Sequence, residues 1–195
     1  MVAVLRLGLH ERGVTEIMGI AEHVVSVVAA AEGLRLRPDV PREAAGEMTE
    51  LIDTRREPPH DARETLAEIA RWSKEELGVT HVPIFWRALA ARPRLLESIW
   101  AKHRLVLGVG ELDTNAKLAI ALAVAMNKRS PYWTGYFAEA GRRTAAFDDD
   151  VILEIAGATL HYASFNTISH GMLLDAPHRD IVAAEFSPAA PSKAE

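Results

Sequence analysis

Apolar residues recur at three- and four-residue intervals along most of this chain, and that spacing predicts helices almost throughout. From 62 to 76, and on to Leu77, the positions Leu66, Ile69, Ala70 and Leu77 share a face, with acidic residues between them. Asp61, with Glu64 three residues on, has the spacing of a capping box, and Pro58-Pro59 ends whatever precedes it. Val82-Pro83 opens a second helix with Ile84, Ala88, Leu89 and Ala91 on its apolar face. Pro93 stops that helix, and residues 94–107 form the next. Gly108-Val109-Gly110 lacks the Gly-Lys-Ser/Thr of a phosphate loop and no strand precedes it, so it reads as a helix C-cap turn. Residues 112–125 read as a buried helix, and another opens around residues 127–140. Asp148-Asp149-Asp150 is an acidic helix start leading into 151–174. No run alternates apolar and polar residues with β-branched enrichment, so the expected class is all-α.

One pattern repeats. Residues 14–36 align without gaps on 152–174, at an offset of 138, with identities at Glu16/Glu154, Ile17/Ile155, Gly19/Gly157, His23/His161, Ser26/Ser164, Gly33/Gly171 and Leu36/Leu174. Two readings fit: coincidence between alanine-rich helices, or a partial tandem of one helical module. The chain divides into residues 1–58 (N-terminal helices and a connector holding a polar, helix-like stretch at 42–56), a helical core at 59–176, and a Pro/Ala-rich tail at 177–195.

Composition narrows the function classes. Hydrophobic residues make up 49% of the 195 and charged residues 25%, enough for a full core in a soluble domain. The net charge is −5, and the basic pairs Arg55-Arg56, Lys128-Arg129 and Arg142-Arg143 are isolated, so nucleic acid is not an expected partner. The longest apolar run, 118–126, is too short to cross a bilayer and no leader pattern is present, which predicts a cytoplasmic protein without a membrane partner. There is no cysteine, which removes disulfides, thiolate metal sites and thiol nucleophiles together.

The buried helix at 112–125, followed by Asn127-Lys128-Arg129-Ser130-Pro131-Tyr132-Trp133-Thr134-Gly135-Tyr136-Phe137, resembles the alkylhydroperoxidase AhpD / carboxymuconolactone decarboxylase-like superfamily. The preceding Val82-Pro83, the short Ala/Leu helix, Arg92-Pro93 and the longer helix ending near Gly110 and Leu112-Asp113 are similar to it as well, so the likeness covers roughly residues 60–176. It implies an AhpD-like helical bundle, here with additional N-terminal helices, and a homo-oligomer. In that family a glutamate, a Cys-x-x-Cys pair and a histidine form a thiol relay. Here the glutamate falls on Leu118 or within one residue of it, the cysteines on Ser130 and Trp133, and the histidine on Phe137. The resemblance therefore implies the scaffold without its redox chemistry.

Two roles fit Tyr132, Trp133, Tyr136 and Phe137. They fill the former relay pocket as core, or they line a site for a small apolar ligand with Tyr132, Tyr136 or Ser130 as polar handles. His161 shares a face with Phe165 and Ile168 and is expected to be a core histidine. His170 pairs at i−4 with Asn166, on a face that either caps and packs or looks into a cavity. His161 and His170 point to opposite sides of one helix, so neither a metal nor another cofactor is expected. The leading expectation is a redox-inactive AhpD-like protein that binds a small molecule or acts as an oligomeric interaction module. The alternative is a cysteine-independent enzyme, hydrolase-, dehalogenase- or decarboxylase-like, using His170, Asn166 and a tyrosine such as Tyr132.

Overall fold

The alanine-rich stretch expected to be buried lies at the centre of the molecule. The computed structural model describes residues 11–36 and 52–172. Within them the regular elements are α1 (Glu11–Gly33), a 3-10 turn (His60–Ala62), α2 (Arg63–Leu77), α3 (Ile84–Leu89), α4 (Pro93–Leu107), α5 (Thr114–Asn127), α6 (Pro131–Arg143) and α7 (Asp149–Gly171). No strand occurs among the described residues. The fold is all-α.

Helix α5 is apolar on nearly every side, and a helix without a polar face has to be covered from several directions. Helices α1, α6 and α7 all pack on it. Helix α4 lies against α1, and α2 lies against both α4 and α6. The other helices bury one stripe each: Leu66, Ile69, Ser73 and Leu77 on α2, and Leu96, Trp100, His103 and Leu107 on α4. On α1 the stripe is Ile20, His23, Val24, Val27, Val28 and Ala31.

Side-chain caps set three helix starts. Asp113 accepts from the Ala116 N–H at 2.8 Å, Ser130 from Trp133 at 3.3 Å, and Asp148 from Val151 at 2.8 Å. Asp61 does not cap α2. The chain enters that helix through the 3-10 turn, so Ala62 stands at the N-cap with helical dihedrals and no extended residue offers a capping side chain. Residues 52–56 form bends and turns rather than the end of a helix, and the rest of the 42–56 stretch lies outside the described residues, as does the 177–195 tail.

The two segments related by the offset of 138 are both 23-residue helices, α1 and α7, ending at Gly33 and Gly171 and flanking α5. Their environments differ. Glu16 and His23 point inward and have partners, whereas Glu154 and His161 are exposed. The expectation of a core histidine at 161 fails because α7 packs through the opposite side. His161 instead meets Phe165 edge to face at 4.5 Å, out in solvent.

Helix α1 is also long and apolar enough, by length and composition, to cross a membrane. Glu16 and Glu22 break it into shorter apolar runs, which is why a contiguous-run reading passes over it. In this fold its inner stripe belongs to the core.

Candidate functional site

Leu118 on α5, Ser130 at the start of α6, and Trp133 and Phe137 within α6, the positions on which the family resemblance would set a thiol relay, are all buried, as is Tyr136 beside them. Phe137 stacks on Trp133 at 5.4 Å, while Phe85 of α3 meets it edge to face at 4.9 Å. Tyr132 and Tyr136 flank the same indole at 5.1 and 5.3 Å. Three polar groups here make hydrogen bonds that tie helices together or cap them. Trp133 Nε1 donates to the Val27 carbonyl of α1 at 2.9 Å, and Ser130 Oγ, besides capping α6, donates to Glu32 Oε1 at 2.7 Å. Tyr132 Oη accepts from the Phe85 N–H at 2.9 Å. Helix α3 begins after Pro83, which has no capping side chain, so the phenol takes over that task from a different helix. Tyr132→Phe is therefore expected to cost about 1–2 kcal/mol, read as a lower denaturant midpoint at unchanged slope; an unchanged midpoint would mean that the Phe85 N–H has another acceptor.

Next to Leu118 sits a buried charged group. Lys117 is 1% exposed, in the first turns of the central helix. Its ammonium is held by the Glu16 carboxylate of α1 and by the Gly108 carbonyl at the end of α4, with the Val106 carbonyl at 3.4 Å. Glu16 Oε2 also accepts from the Leu112 N–H at 2.8 Å. Burial pushes the Glu16 carboxyl up, but Lys117 and the backbone N–H groups of Leu112 and Glu111 outweigh it, so its pKa is lowered. This clip ties the start of α1 to the end of α4 and the start of α5. It also explains the Gly-x-Gly turn: a Cβ at Gly110 would collide with the Glu16 carboxylate, and one at Gly108 with the Arg104 carbonyl.

A second polar pair joins α1 to α4. His23 Nε2 and His103 Nδ1 lie 2.9 Å apart in a nest of indoles, with Trp72, Trp86 and Trp100 within 5.5 Å of the His103 ring centre. Burial, then the charge of Lys102, pushes His23 down to about 4, against a weaker opposing effect of Glu22. Burial pushes His103 well below its ordinary value, and His23 adds to this. Both rings are neutral at pH 7, and the single proton between them makes one hydrogen bond. His103 Nε2 and Trp100 Nε1 are buried without a hydrogen-bond partner among the described residues.

The surface candidates lie elsewhere. Asn166 lines a shallow groove of about 260 Å³ between α5 and α7, with Asn127, Thr159, Tyr162 and alanines. Neither His170 nor Tyr132 lines it. His170 is exposed in the last turn of α7, and Tyr132 is in the core beside α3. The constellation expected for a cysteine-independent enzyme is thus spread over separate places.

Sequence reasoning singled out Glu16 and His23 through the repeat, but not their partners. A signal for Lys117 existed: a lysine near the start of a helix that is otherwise apolar all round must be buried, and so needs an anion. Nothing in the spacing pairs His23 with His103. No family model, curated protein or solved structure matches this chain.

Proposed function

We propose that this chain is a redox-inactive, AhpD-like helical protein acting as an oligomeric interaction module, with its binding surfaces on the outside of the bundle. The observation that carries this reading is the filled relay position. Trp133 is fully buried, its N–H is committed to Val27, and its ring is enclosed by Phe85, Tyr132, Tyr136 and Phe137. A site for chemistry needs a reachable reactive group, and this region offers none. Of the eleven large apolar side chains left exposed among the described residues, six are instead on α7 or at its end, on the outside. Peroxide and alkyl hydroperoxide turnover with a dithiol reductant, in metal-free buffer, is expected to equal that of a heat-denatured control, while light scattering gives a mass above the 21.4 kDa of one chain. Turnover above the control refutes the redox-inactive reading, and a monomer at all concentrations refutes the oligomeric one.

The groove between α5 and α7 supports a second reading, a small apolar ligand seated among alanines with Asn127, Asn166 and Tyr162 as polar handles. Filling the groove by Ala158→Trp is expected to abolish saturable binding of an apolar fluorescent probe such as anilinonaphthalene sulfonate. Binding unchanged by the variant removes the groove as the site.

A further inference from the structure

Helix α7 is apolar all round like α5, yet none of its residues is buried. Leu153, Leu160, Phe165, Ile168 and Met172 are each half to two-thirds or more exposed. At about 150–200 Å² per whole side chain they leave roughly 500 Å² of apolar surface in water, and monomers rarely expose a contiguous patch beyond a few hundred Å². The face has an internal order. Leu153, Leu160 and Thr167 follow one another at seven-residue intervals, and Gly157, Ser164 and Gly171 do the same between them. All six are exposed. This is a two-position seam with one large and one small row. No contact among the described residues requires the glycines: a Cβ at Gly157 or Gly171 would meet nothing within 4 Å, and glycine at 157 weakens the helix interior.

We infer that this seam of α7 is the contact surface for a second copy of the chain, paired antiparallel about a two-fold axis passing near residue 162. The inference deepens the interaction reading given above and rests on it. Three observations single out this occupant and this arrangement. First, the pairing is self-complementary. An axis at 162 sets Leu153 against Gly171 of the second copy, Leu160 against Ser164, and Gly157 against Thr167, so that each level has a small residue facing a larger one. Second, the charges agree. The same axis keeps the Asp148-Asp149-Asp150 starts at opposite ends, where a parallel pair would bring them together. Third, there is apolar area to bury. The roughly 500 Å² of exposed apolar surface on this helix is of the same order as the ~800 Å² per partner of a standard stable interface.

Because the chain has no cysteine, the register can be read directly. Leu160→Cys and Ser164→Cys are made separately, one with a size tag, and co-expressed. Mild oxidant is expected to give the tagged–untagged covalent dimer as the main product, ahead of either variant linked to itself. Two further variants test the surface. Leu160→Glu is expected to weaken self-association by about 100-fold or more, since the two-fold axis counts the buried charge twice. Gly157→Leu adds apolar surface yet fills the small row, and is expected to weaken association by about 10-fold or more. Simple apolar adhesion would be strengthened by that variant, so tighter association of Gly157→Leu overturns the seam. Both positions are exposed in the protomer, so circular dichroism is expected to stay that of the parent. An oligomer that survives both variants and does not cross-link overturns the seam while leaving the interaction reading in place. A wild-type chain that is monomeric at every concentration overturns both. In that case a Leu160→Cys thiol that resists a maleimide reagent shows the face covered by a segment of the same chain.

Discussion

Glu16→Ala is expected to destabilise the protein by about 3–5 kcal/mol, because it leaves the Lys117 ammonium buried without its counter-charge. The carbonyls of Gly108 and Val106 remain as acceptors, but they carry no net charge to balance a cation that solvent barely reaches. The Leu112 N–H loses its acceptor at the same time. Replacing both charged groups, Glu16→Leu with Lys117→Met, is expected to cost less than Glu16→Ala alone. Buried ion pairs are often matched by apolar groups of similar volume, and the remaining loss is that of the backbone partners. Denaturant unfolding of the wild type, the single variant and the double variant makes the comparison. A Glu16→Ala penalty below about 1 kcal/mol would show that Lys117 finds solvent and that the clip is incidental.

Acid is expected to destabilise the fold at pH values well above the window in which Glu16 titrates. In the unfolded chain His23 titrates near 6.5, and in the folded one at about 4. Between those values the unfolded chain binds a proton that folded His23 does not, so stability falls as the pH falls from about 6.5 toward 4. The slope is about 1.4 kcal/mol per pH unit for one histidine, or about 2 kcal/mol by pH 5. His103 is shifted the same way, which steepens the fall. Glu16 works in a lower window. Its folded pKa lies below 4.5, so its contribution is present above that value and is lost only as the pH drops through it. Urea unfolding at pH 7.5 and pH 5 separates the two effects, with a clearly lower midpoint expected at pH 5. His23→Gln is expected to be less stable at pH 7.5 but flatter with pH. Equal wild-type stability at the two pH values would mean that the histidines are not held neutral inside the Trp72, Trp86 and Trp100 nest.

Most of the helices were legible in the chain because their stripes are strong. Leu66, Ile69 and Leu77, or Trp100 and Leu107, can lie on one side only if the backbone is helical. The start at Asp148 was legible as an acidic helix start, the caps at Asp113 and Ser130 were passed over, and Asp61 misled because a capping side chain also needs an extended residue to carry it. Apolar periodicity says which face is covered but not by what. It therefore could not tell that His161 and Phe165 face water, since α7 is apolar on both sides and offers no polar face to orient it. Long-range polar pairs were the least accessible part. Glu16 with Lys117 and His23 with His103 join residues about one hundred and about eighty positions apart, respectively, and no local spacing records such a meeting. The aromatic cluster around Trp133 was visible as bulk in the sequence, but its role in capping α3 through Tyr132 and tying Trp133 to Val27 depends on helices α1 and α3 arriving beside it.

The dependence of α1 on late partners bears on how the protein is made. Its stabilising contacts are His103, Lys117, Ser130 and Trp133, so the last of them is synthesised about a hundred residues after Gly33. At about 5–20 residues per second, that is a wait of roughly 5–20 s on the ribosome. Through that interval the nascent chain carries a 23-residue helix-forming segment, apolar enough to enter a bilayer, with nothing of its own to pack against. Its charges, Glu16 and Glu22 among them, then serve a purpose before the fold exists: each raises the cost of burying the segment in lipid. The glutamate that later closes the clip on Lys117 is thus, before folding, a charge that opposes transfer of the segment into lipid.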